Sequence, residues 1–276
     1  MADAAVPIRV IVHAGFHKTG TTSIQSALAA NRAVLEPAFR VEVLQGNPAL
    51  REITRTARDF SQNRDPVELA LFQGLLAAWL VELPLAPGQG LLLSCEDLAG
   101  HMPGDKGLVG YDAAAPLAGA MARVFSGAFA GGLDLRFLYT TREADAWLRS
   151  LYWQLSKHPH LQIDREAFLR DFVQAADFKL ICDGIAQEVA PWPVCIAALE
   201  DSRDGPPGPV GPLLDLAGLA PQIRAKLVPA PSQNAAPAYD LAPAFVALNR
   251  AGLPPDLLRR MKEELRAMAR DPGADD

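Results

Sequence analysis

The segment Ile8 to Gln25 constrains this chain more than any other. Ile8 to Ala14 (IRVIVHA) is a nearly continuous, β-branched apolar run, the pattern of a parallel strand buried on both faces. It ends at Gly15, and the next residues, FHKTGTTSIQ, pass from a glycine-containing loop into a helical pattern. Such a strand–loop–helix is an anion site in outline, because unpaired backbone N–H groups and the positive end of the helix dipole converge there. Thr22 and Gln25 stand at capping-box spacing, which predicts that the helix starts here.

Similar apolar runs occur at Arg40 to Leu44, Leu91 to Cys95, Leu133 to Thr141 and Val194 to Leu199. Helical periodicity fills Ser23 to Arg32, Val67 to Leu83, Ala115 to Phe129 and Ala144 to Ser156. Strands alternating with helices predict an α/β three-layer sandwich around a mostly parallel central sheet. The expected organisation is one domain over 1–270 and a disordered acidic tail over 271–276. Asp201 to Pro212 and Pro229 to Pro243 read as irregular, and the segment after Pro255 as a terminal amphipathic helix.

A formal charge of −6 lacks the basic footprint that nucleic acid requires. Cys95, Cys182 and Cys195 form neither a disulfide framework nor a zinc set, which fits a reducing, cytoplasmic setting. Met1 to Pro7 has no basic segment of the secretory kind. Val67 to Leu83, interrupted by Glu68, Gln73 and Glu82, falls short of a membrane span.

Gly15 and Gly20 have the spacing of a nucleotide-triphosphate P-loop, but Thr21 and Thr22 stand where its lysine would follow. The lysine of this loop, Lys18, lies inside it. There it is suited to the bridging oxygen of a 5′-phosphosulfate, where negative charge grows as sulfur departs. Lys18-Thr19-Gly20-Thr21-Thr22 resembles the 5′-phosphosulfate loop of the sulfotransferases that use 3′-phosphoadenosine-5′-phosphosulfate (PAPS). A second resemblance follows downstream. The strand LDLRFLYTT leads into Arg142, with Ser150 eight residues later on the next helix, as in the 3′-phosphate site of that family. A dianionic phosphate takes a bidentate guanidinium with a hydroxyl beside it.

The resemblance implies a sheet related to that of P-loop kinases and sulfuryl transfer from PAPS to a hydroxyl or amine. It implies contacts to the donor from His17, Lys18, Thr19, Gly20, Thr21, Thr22, Arg142 and Ser150. It requires no metal, because the transferred group carries one charge, unlike a phosphoryl group. Glu96, at the end of LLLSC, is the candidate base, since ligands in open α/β sheets bind at strand C-termini. The family's cytosolic members place a histidine at the comparable strand end, and several carbohydrate sulfotransferases use glutamate.

Other roles stay open for Glu96: capping the next turn, as Asp97 also does in one reading, or pairing with Lys18. His101 is the second candidate base, with His13 and His17 behind it. Trp147, Tyr152 and Trp153 line an acceptor pocket, stack on adenine or, as is commoner for aromatics at helical spacing, belong to the core. Ser232, Gln233 and Asn234 resemble a polar patch found late in bacterial members, without an assigned role, and His158 and His160 are given no chemistry. The acceptor, whether sugar, lipid, phenol or small metabolite, is unspecified, with its pocket expected from 46–87, 100–116 and 152–177. A nucleotide kinase or NTPase, and a non-catalytic nucleotide-binding relative, are the alternative readings.

Overall fold

In the computed structural model, residues 6–129, 131–229 and 239–270 are described. Strands β1 (Ile8–His13), β2 (Phe39–Val43), β3 (Gly90–Ser94), β4 (Leu133–Thr141) and β5 (Val194–Ala198) form one sheet in the order β2-β3-β1-β4-β5. Every neighbouring pair is parallel. The expected three-layer α/β architecture is the one observed.

The two faces of the sheet explain why the central runs are apolar throughout. Val10, Val12, Leu91, Leu93, Leu135, Phe137 and Tyr139 point to one side, under the helices Pro48–Asn63, Pro66–Glu82, Ala114–Ala128 and Phe178–Val189. Ile11, Val41, Leu92 and Leu138 point to the other, where Thr21–Ala30 and Gly211–Ala217 cover them. Val10, Ile11 and Val12 are wholly buried, each contributing ~1.5–3 kcal/mol of apolar burial. After β1 the chain crosses β3 to reach β2, whereas after β3 and after β4 it moves the opposite way. The connections diverge beside β1, which opens a cleft at the C-terminal ends of β1, β3 and β4.

Asn47 and Asp65 cap the two helices that follow β2, each ahead of a proline in the first turn. The sequence reading did not resolve the first of these, nor Phe178–Val189. Three further expectations are corrected. Thr22 and Gln25 form no capping box: Gly20 is the N-cap, in left-handed conformation and without a side-chain cap, and the helix starts at Thr21. Asp201 to Pro212 is only partly loop, because Leu199–Ser202, Gly208–Val210 and the start of Gly211–Ala217 are helical. Helix Ala242–Arg250 begins inside the stretch read as irregular, with Pro243 in its first turn, where proline costs nothing. Ser232, Gln233, Asn234 and the tail 271–276 lie outside the described residues. No helix among the described residues is long and apolar enough to cross a membrane.

Candidate active site

A buried polar layer ties the C-terminal ends of the central strands together. His13, at the end of β1, bonds Ser94 Oγ on β3 through Nδ1 at 2.8 Å and Thr140 Oγ1 on β4 through Nε2 at 3.2 Å. Thr140 Oγ1 in turn meets Thr19 Oγ1 at 2.7 Å, and Thr19 donates to the Phe16 carbonyl. Complete burial pushes the His13 imidazole down to about 4, so it is neutral at physiological pH. Gly15 is required above this layer: a Cβ there would stand 2.5 Å from Thr140 Oγ1 and 2.6 Å from His13 Nε2.

Over this floor the loop turns its charged residue outward. Lys18 has φ 68°, a left-handed conformation uncommon for a residue with a side chain, and its amine reaches Gln154 Oε1 at 3.5 Å. Burial lowers the pKa of Lys18, the Arg142 charge lowers it further, and Glu96 partly offsets both. Gly20 has φ 93°, and a Cβ there would collide with Leu199 at 2.7 Å. His17, Lys18, Gly20, Thr21 and Thr22 all line a cleft of about 1870 Å³. Thr19 does not, since its hydroxyl is spent on the layer below.

Helix Ala144–Ser156, capped by the Glu143 carboxylate, forms the facing wall. Arg142 and Ser150 both line the same cleft. Arg142 Nη1 lies 3.4 Å from the Lys18 carbonyl, and its Nε is 3.9 Å from Glu200. That Nε is buried without a hydrogen-bond partner among the described residues, an arrangement that a bound acceptor atom would relieve. Trp147 and Tyr152 are core residues, with Trp147 Nε1 donating to the His17 carbonyl at 2.8 Å. Trp153 is half-buried and lines the cleft.

Glu96 also lines the cleft, at the start of the 3₁₀ turn Glu96–Ala99 beyond β3. It does not cap that turn, whose N-cap is Cys95 with no side-chain cap. Gln25, from the helix opposite, donates to Glu96 Oε2, and Lys18 turns to Gln154 instead. Asp97 is committed beneath, accepting from Arg58 at 2.5 Å and meeting His17 Nε2 at 3.2 Å. Burial alone would raise its pKa, but His17 and Arg58 hold it below the usual range. His17 Nδ1 faces Tyr111 Oη at 3.2 Å, so both of its ring nitrogens are engaged. His101 lies away from the cleft, beside Asp105 and Gln62, and His13 lies under it.

Several residues that shape the site were not singled out from sequence. Gln154 and Lys157 follow Ser150 at i+4 and i+7, a helical spacing that places all three on one face, and Lys157 Nζ donates to Gln154 Oε1 at 2.8 Å. Arg266 reaches the cleft from the terminal helix Pro255–Arg270. That helix is anchored by buried Lys262, which donates to the carbonyls of Ser156 at 2.9 Å and Lys157 at 3.1 Å. Asn249 adds bonds to the carbonyls of Ser156, His158 and Leu161. Among the described residues the cleft carries seven Lys and Arg side chains against three carboxylates, in a chain of net charge −6. Such a local excess concentrates anions.

No family model matches the chain, and no curated protein does. Among solved structures, the crystal structure of a sulfotransferase from Alicyclobacillus acidocaldarius aligns over 96% of this chain and 93% of its own, with 15% sequence identity and a TM-score of 0.41.

Proposed function

We propose that the protein is a sulfotransferase that takes a sulfuryl group from PAPS and delivers it to a hydroxyl or amine acceptor. One observation carries this reading. Arg142, whose buried Nε has no hydrogen-bond partner among the described residues, lines the same cleft as Ser150 and Lys18 and is joined to Lys18 through the latter's carbonyl. Two anion positions linked in this way fit an adenosine phosphorylated at both its 5′ and 3′ ends, whereas ATP brings nothing to the second.

The donor supplies an activated sulfuryl group on its 5′-phosphate. The chain's own residues do the rest. The uncapped N-terminus of Thr21–Ala30, with Thr21 and Thr22, offers donors to the 5′ end. Lys18 neutralises the charge that gathers on the departing phosphate. Arg142 and Ser150 fix the 3′-phosphate and thereby the register of the donor. Glu96, held by Gln25, accepts the acceptor's proton at Oε1 or Oε2.

Calorimetric titration with 3′,5′-ADP, and separately with ATP plus Mg²⁺, tests the donor class on the wild type and Arg142→Ala. The expected result is preference for 3′,5′-ADP, weakened by roughly 10- to 100-fold in the variant, as loss of a charge-assisted contact predicts. Preference for Mg·ATP, indifferent to Arg142, would promote a nucleotide kinase instead.

A further inference from the structure

The cleft holds more positive charge than the donor reading uses. Lys157 and Arg266 both line it, and neither forms an ion pair with a carboxylate among the described residues. The three cleft carboxylates are engaged elsewhere: Asp204 with Arg203, Asp240 with Arg165, and Glu96 with Gln25.

These two cations are placed by a built platform. The rings of Trp153 and Phe245 pack with centroids 5.3 Å apart. Lys157 Nζ lies over the first at 5.0 Å, and Arg266 Cζ over the second at 5.3 Å. Phe245 is fully buried and Trp153 is partly so, so the platform is fixed. Lys157 lies two helical turns beyond Ser150, ~10 Å along the axis, and Gln154 joins it to Lys18. It therefore lies on the Lys18 side of the helix, away from Ser150. Burial brings the Lys157 pKa down to about 8, and the neighbouring Lys18 and Arg266 charges contribute. Two cations set on adjoining rings, neither with a carboxylate within 4 Å among the described residues, have the makings of an anion seat.

Resting on the sulfotransferase reading, we infer that the acceptor is itself anionic: a hydroxyl- or amine-bearing small molecule or sugar whose carboxylate, phosphate or sulfate group docks between Lys157 and Arg266. The seat then orients the acceptor nucleophile toward Glu96 and Lys18. A neutral phenol or sterol would leave two partly desolvated cations unanswered, which disfavours such acceptors.

The test is calorimetric titration of inorganic sulfate into protein saturated with 3′,5′-ADP, with Lys157→Gln, Arg266→Gln and Lys18→Met alongside the wild type. One sulfate should bind the wild type, at least tenfold more weakly in Lys157→Gln and in Arg266→Gln, while 3′,5′-ADP affinity changes less than threefold in those two variants. No sulfate binding to the wild type, or binding lost only in Lys18→Met, would overturn the inference, the latter by placing the ion in the seat of the transferred group. If 3′,5′-ADP itself fails to bind, the donor reading falls; the same sulfate titration on the ligand-free protein then decides the Lys157–Arg266 seat separately. Circular dichroism of each variant confirms folding, and since both substitutions are on cleft-facing side chains, two unfolded variants would contradict this placement.

Discussion

Two polar layers sit one above the other at the C-terminal edge of the sheet, and they are opposite in character. In the lower layer His13, Ser94, Thr140 and Thr19 are buried, neutral and bonded to one another. In the upper layer stand Lys18, Arg142, Arg149 and Lys157, and among the described residues Arg142 alone of these four has a carboxylate within 4 Å, Glu200 at 3.9 Å, while Glu96 acts on Lys18 from farther off. Buried polar groups that satisfy one another rigidify a fold. Cations gathered in excess of their counter-charges cost stability and persist where a ligand offsets that cost. The contrast separates what builds the loop from what the loop is built to hold.

The sharpest way to break this contrast is Lys18→Met, which keeps the aliphatic stem and the left-handed backbone but removes the charge. The expected loss in kcat is roughly 10²- to 10³-fold, with 3′,5′-ADP affinity changed less than tenfold and the melting temperature little altered; steady-state kinetics and calorimetry check each. An unchanged kcat would demote Lys18 to a loop residue. A second effect, in stability, belongs to the lower layer. The unfolded chain protonates His13 near 6.5, the folded chain only near 4. Between those values the unfolded state binds more protons, so stability is complete above about 6.5 and is lost as pH falls toward 4, by ~3 kcal/mol. Denaturant unfolding across that window should show this slope, and His13→Gln should flatten it while lowering stability at neutral pH. An equal slope in both proteins would remove His13 from the acid sensitivity.

How much of this was legible beforehand follows from how local each signal is. The sequence bounds of β4 and of the helix Ala144–Ser156 coincide with the observed ones, because a long run rich in leucine and aromatic residues and an amphipathic period carry their own limits. Lys18, Arg142 and Ser150, which share one cleft, can be singled out as candidates in the sequence because the loop and the strand end carry their motifs at short spacing. Gln25 stands at capping-box spacing, yet it holds Glu96 from 71 residues away; Gly20, able to adopt φ 93° at the helix start, takes the N-cap position. The platform under Lys157 and Arg266 joins helices whose residues are about a hundred positions apart, a relation no short window displays. Prolines misled where they begin helices, at Pro212 and Pro243, since the same residue that breaks a helix interior suits its first turn.

The most direct measurement follows the label itself: PAPS carrying ³⁵S, incubated with the protein and a panel of anionic and neutral hydroxyl and amine acceptors, beside a parallel reaction with γ-labelled ATP. The predicted result is label moved from PAPS to an acceptor with release of one 3′,5′-ADP per transfer, faster for anionic acceptors and slowed in Glu96→Gln. PAPS bound tightly but never consumed would contradict it in favour of a non-catalytic binding protein, and movement of the ATP label would contradict it in favour of a kinase.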